Sequence, residues 1–279
     1  MLKRLLTIGF LAPVGLAVAL TARADDDQAI EVGYRLWAGG LQALSLKTRM
    51  VGGKERYRID ASAKTEGLID SLFPFTISAR ADGLRAPGTD GRLRPETYGV
   101  RSRWSGEDRK VEIRYPQTGG LLVDVMPPAE EDNREAVAPE LLEGTVDPMT
   151  GIFTLIERTA ATGRCEAEVA VFDGRRRYDL VLRHVGPAEL SETSYALYHG
   201  PATECRASMR RIGGFWKEDM DDNERGNNEM RIYLAPLLEG VPPVPVRMTA
   251  RSNYLGFGVI IHAVEAQVTD AVKAAGLDY

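Results

Sequence analysis

Apolar residues recur at every second position over most of the chain, the period of a strand with one face buried and one in water. Tyr57, Ile59, Ala61 and Ala63 alternate with Arg58, Asp60, Ser62 and Lys64. Val111, Ile113 and Tyr115 alternate with Lys110, Glu112 and Arg114 in the same way. The pattern predicts strands over 29–37, 41–50, 57–64, 75–84, 98–104, 109–115 and 121–126, then over 165–171, 178–182, 195–212, 229–234, 244–254 and 257–268. Ala38-Gly39-Gly40, Ser105-Gly106-Glu107 and Asp173-Gly174 read as hairpin turns, the last as a two-residue one. Residues 67–73 are expected to form a single helical turn stopped by Pro74. Residues 86–95, 127–139 and 216–228 are expected to be polar connectors.

One stretch breaks the two-residue period. Asp147 suits an N-cap, and Pro148 suits the first helical position, where its missing N–H has no partner to lose. Met149, Ile152, Phe153, Ile156 and Ala160 then follow helical spacing, Arg158 stands towards the C-terminal end and Gly163 supplies a stop. The expected helix covers 148–162. The fold class that follows is mainly β: a curved antiparallel sheet forming an open barrel or β-spiral, with one principal helix packed against it. Cys165 and Cys205 both fall on the apolar phase of the strands expected to carry them. An even pair in an oxidising compartment points to a disulfide, and two buried free thiols are the alternative.

The first 24 residues have the parts of a secretory leader: Lys3 and Arg4, an apolar run from Leu5 to Leu20, then Ala22-Arg23-Ala24. Cleavage is expected after Ala24. A membrane anchor is the alternative, but the run is shorter than the roughly 20 apolar residues a span needs. The remainder, 25–279, is expected to be a single periplasmic β-rich domain, not membrane-spanning after cleavage. Removing the leader takes away three basic residues and no acid, so 32 basic against 40 acidic residues leave a charge of −8. That balance argues against a nucleic-acid partner, whose phosphates need clustered Lys and Arg.

The search for chemistry is mostly negative. His184, His199 and His262 are isolated, and no nucleophile elbow or phosphate loop is present. Asp219, Asp221 and Asn223 imitate a calcium loop, but Glu224 stands where it needs Gly and Met230 where it needs Glu. No metal and no cofactor are expected. Arg175 and Arg176, followed by Arg177, are candidates for an anion or partner contact. Consecutive strand residues point to opposite faces, so the competing reading pairs them with Asp173, Glu166 and Glu168. Trp37, Trp104 and Trp216 are candidates for lining an apolar cavity, or for ordinary packing.

Several short motifs occur in a particular order. They are Tyr57-x-Ile59, Thr65-x-Gly67-Leu68, Arg94-Pro95-x-x-Tyr98, Asp147-Pro148 with Arg158, Val171-Phe172-Asp173-Gly174-Arg175-Arg176, Cys205 and Pro245-Val246-Arg247. Over about residues 30–268 the chain thereby resembles the bacterial secreted family called domain of unknown function 3108. The resemblance implies a periplasmic, β-rich protein and assigns no catalytic residue. The leading functional expectation is a non-enzymatic protein supporting cell-envelope integrity, holding a lipid or a partner's hydrophobic segment in an apolar concavity. The alternatives are an envelope-polymer hydrolase using two carboxylates and a pure protein–protein interaction module.

Overall fold

The computed structural model describes residues 28–85, 93–128, 134, 136–216, 229–251 and 258–270. The expected leader, the calcium-like 217–228 loop, the last turn near 253–257 and the tail from 271 lie outside the described residues.

Among the described residues, thirteen strands form one antiparallel sheet. The first seven are β1 (Gln28–Ala38), β2 (Leu41–Gly52), β3 (Arg56–Thr65), β4 (Phe75–Arg85), β5 (Leu93–Trp104), β6 (Glu107–Arg114) and β7 (Leu122–Met126). The remaining six are β8 (Ala167–Phe172), β9 (Arg177–Leu190), β10 (Gly200–Gly213), β11 (Met230–Ala235), β12 (Val244–Arg251) and β13 (Gly258–Asp270). A six-residue helix, α1 (Gly67–Leu72), joins β3 to β4, and the principal helix α2 (Pro148–Thr162) separates β7 from β8. The strand order is β7-β6-β5-β4-β3-β2-β1-β13-β12-β11-β10-β9-β8. Two meanders therefore run outward from a central seam where β1 pairs with β13, from Gln28↔Asp270 to Ala38↔Val259.

The sheet curls because α2 serves both meanders. Phe153 and Ile156 pack with Val32, Tyr34, Met50, Tyr57, Ile59 and Val244, while Leu155 packs with Leu182, Cys205 and Leu234 on the other half. Curling brings the far ends together without joining them by ladder hydrogen bonds, so the barrel stays open. Phe172, on β8, packs against Ala81, Tyr98 and Ile113 of β4, β5 and β6. Val146, just ahead of α2, adds a one-residue parallel bridge to β8: its N–H donates to Ala170 O at 2.9 Å and its carbonyl accepts from Phe172 N at 2.9 Å.

Four expectations need correction. Ile152 is 50 % exposed and Ala160 is also exposed; the buried face instead includes Thr150, Gly151, Thr154, Leu155 and Thr159. A helix held inside a curved sheet is contacted on more than one stripe, so polar residues enter the core once satisfied. Thr154 and Thr159 donate to the carbonyls of Thr150 and Leu155, each at 2.8 Å. Cys165 lies two residues ahead of β8 rather than on it. Residues 195–199 form an irregular crossing, and strand pairing resumes only at Gly200. The tight turn centres on Gly174 and Arg175 rather than on Asp173 and Gly174: Asp173 N donates to the Arg176 carbonyl at 3.2 Å, and the Asp173 carboxylate accepts from the N–H groups of Arg175 and Arg176 at 3.0 and 2.7 Å.

Cys165 and Cys205 are bridged across 40 residues of sequence, with Cα atoms 6.1 Å apart. Replacing either with Ser is expected to lower stability by about 4 kcal/mol on loop-closure grounds, read as a lower melting temperature. A non-reducing gel and thiol titration check the bridge itself; two titratable thiols in the unmodified protein would refute it. Gly174 has φ +95°, and a Cβ there would stand 2.4 Å from Val111 Cγ1. Gly174→Ala should destabilise by about 1–3 kcal/mol through backbone strain and overpacking. Adding Val111→Ala should recover part of that loss, which a double-mutant cycle in urea measures.

Candidate functional site

Where α2 enters the barrel, Asp147 Oδ1 accepts from Thr150 N at 2.9 Å and Oδ2 accepts from Thr150 Oγ1 at 2.6 Å. Thr150 Oγ1 is also 2.7 Å from Tyr57 OH on β3. A threonine hydroxyl has one proton, so with Asp147 ionised Thr150 donates to it and Tyr57 donates to Thr150. Asp147 is wholly buried, and burial pushes its carboxyl up to about 6 despite these hydrogen bonds. Tyr98 and Tyr115 are pushed up as well, first by burial and then by the Asp147 charge.

Beside the helix lies a cavity of about 230 Å³ at the end of the barrel where β1 begins and β13 finishes. Ile30, Met50, Phe153, Ile156, Val244 and Val268 make its walls apolar, and Gly52 and the 240–242 turn complete it. Its charged lining groups are Arg85 and Glu157, paired at 2.6 Å through Arg85 Nη1, with the guanidinium 5.7 Å from the centre of the Phe153 ring. Neither Trp37, Trp104 nor Trp216 lines this cavity.

A second, larger depression of about 330 Å³ lies over Gly99 on β4, β5 and β6. It contains two acids, Asp82 and Glu112, but Arg58 holds Asp82 at 2.6 Å and Lys110 holds Glu112 at 3.0 Å. Each carboxylate of this pair is thus engaged by a neighbouring cation. Among the described residues no group of three or more His, Cys, Asp or Glu is placed to hold a metal ion.

The residues singled out from sequence do not converge. Arg175 donates to the carbonyl of Pro127, Arg176 pairs with Asp173 at 2.7 Å, and Arg177 pairs with Asp179 at 2.7 Å. The three arginines thus have three different partners, and of these contacts only that of Arg175 leaves the β8–β9 hairpin. Asp147 and Pro148 begin α2, and Gly163 ends it with φ +68°. Arg158 stands just ahead of the last turn, which holds no basic residue.

Sequence reasoning missed Arg85, Glu157, Tyr57 with Thr150, and His262. Arg85 and Glu157 are 72 positions apart and carry no local motif. His262 is 1 % exposed, and neither ring nitrogen has a partner among the described residues. Its ring forms a cluster with Trp37 and Tyr195, with centroids 5.6 and 5.3 Å away, and those two rings are 5.2 Å from each other. Burial, and then the nearby Arg247 charge, push its imidazole down to about 4.

Asp147 and His262 oppose each other in pH. Asp147 keeps its proton in the fold up to about pH 6, so its cost to stability is absent below the unfolded value of about 4 and complete above 6. His262 stays neutral in the fold, so its contribution is present above the unfolded value of about 6.5 and lost as pH falls towards 4. Each effect is on the order of 3 kcal/mol, and the two nearly cancel. Urea unfolding between pH 4.5 and 6.5 should therefore vary little for the unmodified protein. Asp147→Asn should lose stability on acidification and His262→Phe should gain it; parallel profiles for all three would overturn the assignment.

The sequence profile of a family described as protein of unknown function, DUF3108, matches residues 31–259. Comparison with curated proteins finds no match. Among solved structures, a β-barrel-like protein of domain of unknown function DUF1849 from Brucella abortus superposes with TM-score 0.51 at 12% identity, covering 88% of this chain and 98% of its own. At that identity the likeness speaks for the fold alone. An outer membrane lipoprotein-sorting protein domain from Vibrio parahaemolyticus aligns over 90% of this chain and 87% of its own, at 8% identity and TM-score 0.22.

Proposed function

The chain belongs to the DUF3108 family of proteins of unknown function, and from that premise we propose a non-enzymatic protein of the cell envelope that binds a short apolar group at the mouth of its barrel. The cavity beside Phe153 and Ile156 carries this reading. At about 230 Å³ it is larger than the roughly 150 Å³ that takes benzene and smaller than the roughly 300–1,000 Å³ of drug-sized sites. It suits one acyl segment or one or two apolar side chains of a partner. The periplasmic setting is supported by the leader-like N-terminus and by a disulfide, which persists in oxidising compartments.

A second reading, an interaction module, is favoured by β7. It ends the strand order and exposes Leu122, Val123 and Met126, which suits pairing with a strand of another protein.

Titration with 1-octanol, followed by backbone NMR shifts, separates the two. Saturable shifts confined to the α2 mouth, lost in Ile156→Trp, support the cavity reading; no saturation, or shifts unchanged by that substitution, would sink it. Acyl species retained by natively isolated protein, identified by mass spectrometry, would extend it to a cellular ligand.

A further inference from the structure

We propose that the Arg85–Glu157 pair makes the cavity selective for an acyl chain ending in a neutral carbonyl, an ester or an amide, over a free carboxylate or a cationic head. The inference rests on the cavity reading above and adds the chemistry of the head group. The walls beside Met50, Phe153, Ile156 and Val244 are apolar, so they accept a chain but do not orient it. Orientation falls to Arg85 and Glu157.

Their charges balance at 2.6 Å. An incoming carboxylate attracted to Arg85 would meet Glu157 beside it, and a cation attracted to Glu157 would meet Arg85. Each charged head is thus opposed by the like charge of the pair. A neutral carbonyl meets no such opposition.

Arg85 also has a donor to give. A guanidinium donates and never accepts. Nη1 is committed to Glu157, Nε is buried and meets no acceptor among the described residues, and Nη2 lies beside Gly52, 2.7 Å from where a Cβ would stand. Both Arg85 and Gly52 line the cavity. The Arg85 N–H donates to Glu55 O at 2.8 Å and the guanidinium rests against Phe153, so the donor is placed before any ligand arrives. The absent side chain at Gly52 is what leaves it room.

Calorimetry with 1-octanoylglycerol, its ether analogue 1-O-octylglycerol and octanoate tests the proposal. The ester should bind about tenfold more tightly than either of the others, the value of one hydrogen bond from a charged donor. Glu157→Gln should raise octanoate affinity about tenfold, since the like charge is gone while Arg85 remains. The double variant Arg85→Gln, Glu157→Gln should bind ester and ether equally, without an orphaned charge to unfold it. Equal binding of all three ligands to the unmodified protein would overturn the head-group assignment and leave the cavity reading standing. Failure of all three to bind would overturn both.

Discussion

A sheet with one apolar face must bury that face against something, and here the burden falls on a single helix started by a single carboxylate. Asp147 caps α2 from inside the core and reaches β3 through Thr150 and Tyr57. The helix end is thereby located against the first meander before Leu155 meets the second. Keeping an acid in that position costs stability at neutral pH, as its raised titration shows. The return is a helix start fastened to β3 by side-chain hydrogen bonds.

The same arrangement limits what the molecule can hold. Barrels of this general kind enclose a ligand space when their interior is empty. Here Phe153, Leu155 and Ile156 are buried against the strands, and the cavity beside Phe153 and Ile156 lies at one end. The seam between β8 and the β4–β6 face is made by Phe172 and the Asp173–Arg176 turn rather than by ladder hydrogen bonds. Side-chain closure of this sort leaves β7 at one end of the strand order.

Much of the architecture was legible from periodicity. The strands of the first half, the helix from Pro148 to Thr162 and its two caps follow from local rules that the chain obeys residue by residue. The helix face was not legible. Ile152 and Ala160 satisfy the apolar spacing yet face water, while Thr150, Thr154 and Thr159 are buried. A spacing argument assumes one buried stripe, and a helix surrounded by a curved sheet has more than one. The Asp173 turn is shifted by one residue for another reason: the Asp173 carboxylate bonds its own backbone, and Gly174 and Arg175 become the central pair.

The sequence by itself determined the mainly β class, the position of the one long helix, and a family likeness over most of the chain. These depend on neighbours in sequence, and a strand's period or a helix cap is visible there. Tertiary structure alone decided that Arg85 meets Glu157 across 72 positions, that His262 is buried against two aromatic rings, and that the arginines after Asp173 diverge. Each is a contact between distant segments whose register is set by how the sheet curls. The candidate site belongs to that second group, because a cavity is made by the packing of several elements and no one of them encodes it.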